Sequence, residues 1–193
     1  MKNKSARIPI VILAILLLLP TLISCSSSES EVIGSAKELI PRAMALEDII
    51  WGEGLPADGS VTLSGEESGP VYCPVSSDAP FTDVSGLLLE MAGVYTLDYA
   101  EELMALLFSG DSQNPPRYST DENGALLIDL TYPAKKLGKN VDLEKMTVTL
   151  SNPYAVTLSL PFSRANGENG ELSVTLSRVG DEWFLTSPTS YLD

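Results

Sequence analysis

The spacing of apolar residues changes partway along this 193-residue chain, and this change restricts the fold classes that it can adopt. From about residue 125, apolar and polar residues alternate, as in strands that are buried on one face. In the first half, apolar residues recur every three or four positions, as on one face of a helix: Ile33, Ala36, Ile40, Ala43, Leu46 and Ile50. Helices followed by strands predict an α+β fold, with N-terminal helices packed on one face of a C-terminal antiparallel β-meander.

Three helices are predicted in the first half. The first is expected to run from about 31 to 51 with a kink at Pro41, because proline removes a backbone donor inside a helix. The alternative is that a second helical segment begins at Pro41. The second ends at Gly93, a residue typical of helix C-termini, and the third covers 97–108.

The strands are predicted from alternation and from the polar turns between them. Segment 71–75 is short and is expected at a sheet edge, because Pro74 cannot donate to a ladder. Asn152-Pro153 and Gly180-Asp181 are predicted turns. The meander is expected to contain the alternating segments 125–132, 146–150, 154–162, 172–176 and 183–186.

The N-terminus has the pattern of a bacterial export signal. A basic segment is followed by an apolar run and then by Leu22-Ile23-Ser24-Cys25, which resembles a lipobox. This resemblance implies that Cys25 is joined to diacylglycerol, carries acyl chains such as palmitate, and becomes the first residue of the mature chain. Two acyl chains hold a protein stably at a membrane. We therefore predict a lipoprotein on the outer face of the cytoplasmic membrane.

These signals divide the chain into a signal peptide (1–24), a lipidated tether (25–31) and a single α+β domain (32–193). A transmembrane anchor is one alternative, but the apolar run 8–23 is shorter than the ~20 residues that a membrane span needs. A secretory signal in which the cysteine is incidental is the other alternative.

The composition disfavours several classes of function. The chain has 12 basic and 26 acidic residues, a net charge of −14, and no histidine. Phosphate contacts depend on Lys and Arg, so nucleic-acid binding is not expected. Without histidine there is no Ser-His-Asp triad and no His metal ligand, and two cysteines cannot form a four-Cys zinc site. We expect no catalytic residues, no metal and no cofactor.

The acidic residues are concentrated in the helical half. Residues 26–111 contain 16 acidic and 2 basic residues, whereas residues 112–193 contain 10 and 7. The connection 52–70 is long, rich in glycine and acidic, and such loops are often functional. We predict that Asp58, Glu66 and Glu67 contact a basic partner protein; the alternative is a solvated connection.

Other candidate residues are predicted to be structural. Cys73, the only thiol outside the lipobox, is expected to be a small buried residue, with a catalytic or redox-labile thiol as the alternatives. The adjacent carboxylates Glu101 and Glu102, or Asp121 and Glu122, are expected to be solvated rather than to form a glycosidase pair. The large aromatic residues are expected mostly in the core or at its rim, with a glycan platform as the alternative: Trp51, Tyr72, Tyr95, Tyr99 and Trp183.

Several short motifs point to one family. They are Val94-Tyr95-Thr96-Leu97-Asp98-Tyr99-Ala100-Glu101-Glu102-Leu103, Phe108, Pro116-Arg117-Tyr118, Asp121-Glu122-Asn123-Gly124-Ala125-Leu126 and Asp181-Glu182-Trp183. Together they resemble the IseA-type DL-endopeptidase inhibitors, which are extracytoplasmic proteins of Gram-positive bacteria. The resemblance implies a non-enzymatic peptidase inhibitor that occludes the active-site cleft of a cell-wall hydrolase. The alternative function is a small envelope lipoprotein that binds a ligand or a protein and has no inhibitory activity.

Overall fold

The computed structural model describes residues 29–58, 69–112, 114–136 and 138–192. These residues form three α-helices and two antiparallel sheets, which confirms the predicted α+β class. The helices are α1 (Glu29–Trp51), α2 (Val84–Ala92) and α3 (Leu97–Ser109). The strands are β1 (Tyr72–Pro74), β2 (Tyr118–Thr120), β3 (Leu126–Asp129), β4 (Asn140–Val141), β5 (Thr147–Ser151), β6 (Ala155–Ser163), β7 (Asn169–Val179) and β8 (Glu182–Leu185).

Helix α1 places its apolar face in the core. It begins at Glu29, inside the segment predicted as a tether, and continues through Pro41, whose side chain is exposed. The predicted apolar face is confirmed, since its members are buried except for the partly buried Ile33: Ala36, Ile40, Ala43, Leu46 and Ile50. The pattern of burial thus follows the helical period in the sequence.

The two shorter helices begin and end where local sequence signals place them. Before α2, the Asp83 side chain accepts a hydrogen bond from the Gly86 N–H at 2.9 Å, as an N-cap residue does. Gly93 follows the helix and donates its N–H to the Leu89 carbonyl at 3.0 Å. Helix α3 follows Thr96 and ends one residue beyond the predicted segment.

The larger sheet contains the predicted meander. Strands β5, β6, β7 and β8 are consecutive antiparallel neighbours, and β4 also pairs with β6. In the register of β6 and β7, Leu158 lies opposite Val174, and both side chains are fully buried. The inner face of this sheet and the apolar faces of the helices share one hydrophobic core.

The prediction that segment 125–132 belongs to the meander is wrong. Strand β3 instead forms the centre of a separate three-stranded sheet with the order β1-β3-β2. Strand β1 lies at an edge of this sheet, as Pro74 predicted. Alternation shows that one face of a strand is buried, but it does not show which strand lies beside it.

The prediction that Met146, Val148 and Leu150 share the core face is also wrong for Leu150. The pairing of β5 with β6 shifts register between Val148 and Leu150, and Leu150 is 65% exposed. Met146 is buried and Val148 is half-buried. A bulge changes the face of every later residue in a strand, so Leu150 points away from the core.

Within the described ranges, no helix combines the length and the apolar character that a membrane crossing requires. The predicted signal peptide and the lipidation site Cys25 lie outside the described residues.

Candidate functional site

Both ends of the predicted partner-binding loop, 52–70, are fixed to the small sheet. On the first side, the Asp58 N–H donates to the Pro74 carbonyl at 2.7 Å. On the second side, the Val71 N–H donates to Asp129 Oδ1 at 2.8 Å. The Asp58 side chain is exposed, whereas Glu66 and Glu67 lie outside the described residues. Asp58 and Val71 are therefore both held by hydrogen bonds to the small sheet.

Arg117 lies beneath the start of this loop and holds the C-terminal end of α1. Its side chain is buried, Nη1 donates to the Ile50 carbonyl at 3.1 Å, and Nη2 donates to the Gly52 carbonyl at 2.7 Å. The last carbonyls of a helix have no partner within the helix, and a cation is favourable there. The guanidinium carbon lies 4.7 Å from the centre of the Tyr132 ring.

Tyr118 joins the same helix end to the loop. Its hydroxyl accepts the Leu55 N–H at 2.9 Å and donates to the Ile49 carbonyl at 3.1 Å. Burial raises the pKa of Tyr118, although the hydrogen bond from Leu55 and the nearby Arg117 lower it in part. The first residues of the loop are therefore held by a buried network rather than by surface contacts alone.

Asp129, at the end of β3, faces the same region. Its Oδ1 accepts hydrogen bonds from the Val71 N–H at 2.8 Å, the Thr131 N–H at 2.9 Å and the Thr131 hydroxyl at 2.8 Å. Its backbone N–H donates to the Arg117 carbonyl at 2.9 Å, so the two residues lie on adjacent chain segments. Among the described residues, neither Asp129 Oδ2 nor Arg117 Nε has a hydrogen-bond partner, although both atoms are buried.

Arg117 and Asp129 line a cleft of about 450 Å³, which we call the Arg117–Asp129 cleft. Each of these two residues is only 3% exposed. The exposed residues Pro56 and Ala134 also line the cleft, which therefore opens to solvent. Its other walls include one aromatic and three aliphatic side chains, Tyr132, Leu55, Ile128 and Leu130.

A larger cleft, of about 580 Å³, lies between segment 140–145 and strands β6 and β7. None of its described lining residues has a buried side-chain polar atom without a partner. The volume alone therefore does not mark it as a binding site, because ligand sites combine an apolar wall with a few convergent polar groups.

Glu47 is a buried carboxylate on the core face of α1, where it binds the C-terminal segment. Its Oε1 accepts the Thr189 N–H, and the Tyr191 hydroxyl donates to the Met44 carbonyl at 2.8 Å. Glu47 is 1% exposed. Burial raises its pKa, and the hydrogen bonds from Thr189 and Ser190 and the charge of Lys135 lower it only in part.

We expect the Glu47→Gln substitution to remove a pH-dependent component of stability. A carboxyl group whose pKa is higher in the folded state binds more protons when the protein is folded. Its contribution to the free energy of unfolding therefore falls as pH rises from about 4.5 through the folded pKa. The unfolding free energy of the wild type minus that of Glu47→Gln should therefore decrease over this pH range. Any effect of the amide on stability that does not depend on pH adds a constant to this difference and leaves the trend unchanged. Urea denaturation at a series of pH values measures this difference.

Asp121→Asn provides a control of opposite sign. The pKa of Asp121 is lowered because its carboxylate accepts N–H groups, first that of Ala125 and then that of Asn123. Its stabilising contribution is present above its unfolded pKa and is lost as pH falls through the folded value. The unfolding free energy of the wild type minus that of Asp121→Asn should therefore increase with pH. If the difference for Glu47→Gln also increased with pH, this would contradict a raised pKa for Glu47 in the folded protein.

The remaining predicted sites are dispersed. Cys73 is buried in β1 opposite Ile128, as expected for a small apolar residue. Glu101 and Glu102 are exposed on α3, and Asp121 lies in the exposed turn between β2 and β3. No group of three or more metal-ligating side chains occurs in the part of the chain that the structure describes. The large aromatics lie in the core or at its rim, since Tyr95 and Trp183 are buried and the others are partly buried: Trp51, Tyr72 and Tyr99.

Three buried charged residues were not predicted from the sequence: Glu47, Arg117 and Asp129. Glu47 lies four residues after Ala43 and three before Ile50, so its place on the apolar face of α1 was visible in the helical period. Asp129 ends an apolar strand run, which is a weaker signal. Nothing in the sequence pattern places Arg117 at the end of α1.

Comparison with models of known protein families and with curated proteins finds no match to this chain.

Proposed function

We propose that this chain is a lipid-anchored, non-enzymatic protein on the outer face of the cytoplasmic membrane, where it inhibits a cell-wall DL-endopeptidase. The observation that most supports this function is the anchoring of loop 52–70 at both ends, through Asp58 and Val71. Segments whose ends are already ordered lose less conformational entropy on binding. The resemblance to IseA-type inhibitors supports occlusion of an active-site cleft as the mode of inhibition.

The distribution of charge supports contact through the helical half. Its two basic residues already form ion pairs, Lys37 with Glu144 at 2.6 Å and Arg42 with Glu90 at 2.7 Å. Further acidic side chains on this half are exposed: Glu53, Asp58, Asp98, Glu101 and Glu102. Such a surface attracts a cationic hydrolase, and electrostatic complementarity acts mainly on the association rate and on specificity.

We expect neutralisation of the loop acids Asp58, Glu66 and Glu67 to slow association with a cationic DL-endopeptidase by about tenfold at low salt. High salt should slow the wild type and reduce this difference, since exposed charges are screened over about 8 Å at physiological ionic strength. The measurement is surface plasmon resonance with the lipidated chain in neutral phosphatidylcholine nanodiscs, together with a muralytic assay of the bound enzyme.

A matched control removes the same number of exposed acids from the strand-rich region, at Glu122, Asp181 and Glu182. This triple variant should change the association rate by less than the loop variant does. Equal effects of the two variants would indicate only a general effect of net charge. Unchanged rates for the loop variant at both salt concentrations would exclude the acidic-loop mechanism.

Lipidation of Cys25 is tested separately. We expect the wild-type chain to fractionate with membranes and to begin at a diacylglycerol-modified Cys25, as mass spectrometry would show. Cys25→Ser should lose the modification and should not be processed at this position. If both proteins remained uncleaved and in the membrane fraction, the N-terminal segment would be a transmembrane anchor instead.

The Arg117–Asp129 cleft favours a second function, that of an envelope lipoprotein that binds a small ligand without inhibiting a hydrolase. A chain of this type would not change muralytic activity, and substitutions at the three loop acids would not affect ligand binding.

A further inference from the structure

The segment that follows β8 crosses the middle of α1. We call this segment, residues 186–192, the C-terminal strap. At its start, the Thr186 N–H donates to a carbonyl of β7 at 3.1 Å. Near its end, the Tyr191 hydroxyl donates to the Met44 carbonyl of α1 at 2.8 Å. Thr189 and Tyr191 are only 1% and 4% exposed, so the strap is packed against the protein and covers part of α1.

Two side chains of opposite charge hold the backbone of the strap. On the α1 side, Glu47 Oε1 accepts the Thr189 N–H, and the Ser190 N–H donates to the same carboxyl group. On the other side, Lys139 Nζ donates to the Ser190 carbonyl at 3.0 Å and to the Leu192 carbonyl at 3.2 Å. The closed position of the strap therefore depends on side chains of other segments, and one of them is a buried carboxyl group.

The backbone of the strap is strained at the residue that both charged groups hold. Ser190 has φ +58°, and in the part of the chain that the structure describes it is the only residue other than glycine with a positive φ. A strained residue keeps such a conformation only while its surroundings hold it there. Weakening the hold of Glu47 should therefore favour release of the strap.

The surroundings of Glu47 determine how its protonation affects the strap. The titratable groups that face it are three tyrosine hydroxyls and one ammonium group: Tyr95, Tyr99, Tyr191 and Lys135. Lys139 lies across the strap, and the Asp48 carboxylate acts on Tyr191. Burial raises the pKa of all three tyrosines, to about 12 for Tyr99 and Tyr191, so their hydroxyls stay neutral at physiological pH.

Burial also favours the neutral form of Glu47 while the strap is closed. It raises the pKa of Glu47 by more than the hydrogen bonds from the strap and the charge of Lys135 lower it. When the strap opens, water reaches the carboxyl group, and its pKa returns toward the ordinary value of about 4.5. The closed form therefore binds this proton more tightly than the open form does, and a rise in pH favours opening.

We propose that the C-terminal strap is a pH-dependent device, which opens locally and more often as Glu47 loses its proton, while the two sheets remain folded. Opening uncovers the middle of α1 and adds the Glu47 carboxylate to the acidic surface of the helical half. This device is separate from the partner contact proposed for loop 52–70, and it does not require that contact.

Amide hydrogen exchange, followed by NMR on the complete chain in neutral phosphatidylcholine nanodiscs, tests the proposal. After correction for the intrinsic exchange rate at each pH, the opening constant of the Thr189 and Ser190 amides should rise by up to about tenfold per pH unit above pH 4.5, until Glu47 is ionised. The amides of Leu158 and Val174, in the centre of the large sheet, report global unfolding. At every pH, they should exchange at least about tenfold more slowly than the strap amides.

Two variants and a matched control assign the effect. Glu47→Gln cannot lose a proton, so its strap opening constant should be the same at every pH. Tyr191→Phe removes the hydrogen bond to Met44, so it should raise the opening constant by about fivefold and keep its pH dependence. This second variant tests the strap if Glu47→Gln does not fold. In the control, Glu38→Gln removes an exposed carboxylate from the same helix and should leave the opening constant unchanged.

Three results would overturn the proposal. If Thr189 and Ser190 exchanged as slowly as Leu158 at every pH, the strap would open only when the whole protein unfolds. If the opening constant stayed level or fell as pH rises, closure would not favour the protonated form of Glu47. If Glu47→Gln kept the pH dependence of the wild type, another group would control the strap.

Discussion

Replacing Arg117 with methionine should lower the free energy of unfolding by about 3–6 kcal/mol. The substitution retains most of the apolar volume but removes two hydrogen bonds from a charged donor, each worth about 1.5–3 kcal/mol. It leaves the Ile50 and Gly52 carbonyls without these partners at the end of α1. Urea denaturation with an unchanged m-value would measure this loss.

Arg42→Met is the matched control for this prediction. Arg42 also makes charged hydrogen bonds, to Glu90, but its side chain is 42% exposed. Exposed ion pairs contribute about 0.2–1 kcal/mol, so this variant should lose no more than about 1 kcal/mol. If Arg117→Met lost as little as Arg42→Met, the guanidinium would not be the cap that stabilises the end of α1.

Substituting alanine for Gly54 should destabilise the fold by about 2–5 kcal/mol. Gly54 has φ +85°, a conformation that costs other residues about 1–2 kcal/mol. In addition, a Cβ atom there would lie 2.5 Å from Arg117 Nη2 and 2.6 Å from Ile128 Cδ1. Arg117 is held by its hydrogen bond to Gly52 and cannot move away freely, so overpacking adds about 1–3 kcal/mol.

Gly124→Ala separates the backbone cost of a positive φ from the cost of overpacking. Gly124 has φ +84°, but a Cβ atom there would have no neighbour within 4 Å. This variant should therefore show only the backbone cost of about 1–2 kcal/mol. The difference between the two alanine variants, measured by urea denaturation, reports the packing around Arg117. Equal losses would mean that the loop moves to accommodate the methyl group and does not hold the guanidinium in place.

The features that the sequence predicts correctly depend on residues near one another in the chain. The apolar face of α1 follows from the period of 3.6 residues, and the end of α2 follows from Gly93, whose N–H donates to the Leu89 carbonyl four residues earlier. The predicted turns Asn152-Pro153 and Gly180-Asp181 lie between β5 and β6 and between β7 and β8. The α+β class was therefore predictable, because each element carries its own local signal.

The candidate site depends on contacts between distant residues. Arg117 meets Ile50 across 67 positions in sequence, and Val71 meets Asp129 across 58. The sequence predicted Asp58 as a loop residue but did not predict what fixes the loop. It also gave no indication of which polar atoms would remain unpartnered, because this depends on the geometry of every neighbour.

By itself, the sequence determined the three helices, the buried face of α1, the longer strands, the acidic helical half and the short turns, because local backbone preferences and hydrophobic periodicity encode these features. Only the tertiary structure decided that β3 joins β1 in a second sheet, that a bulge exposes Leu150, and that Arg117 and Asp129 share a cleft. An alternating strand buries one face equally well beside several neighbours. The choice among them is made by the packing of the whole chain, which no local pattern contains.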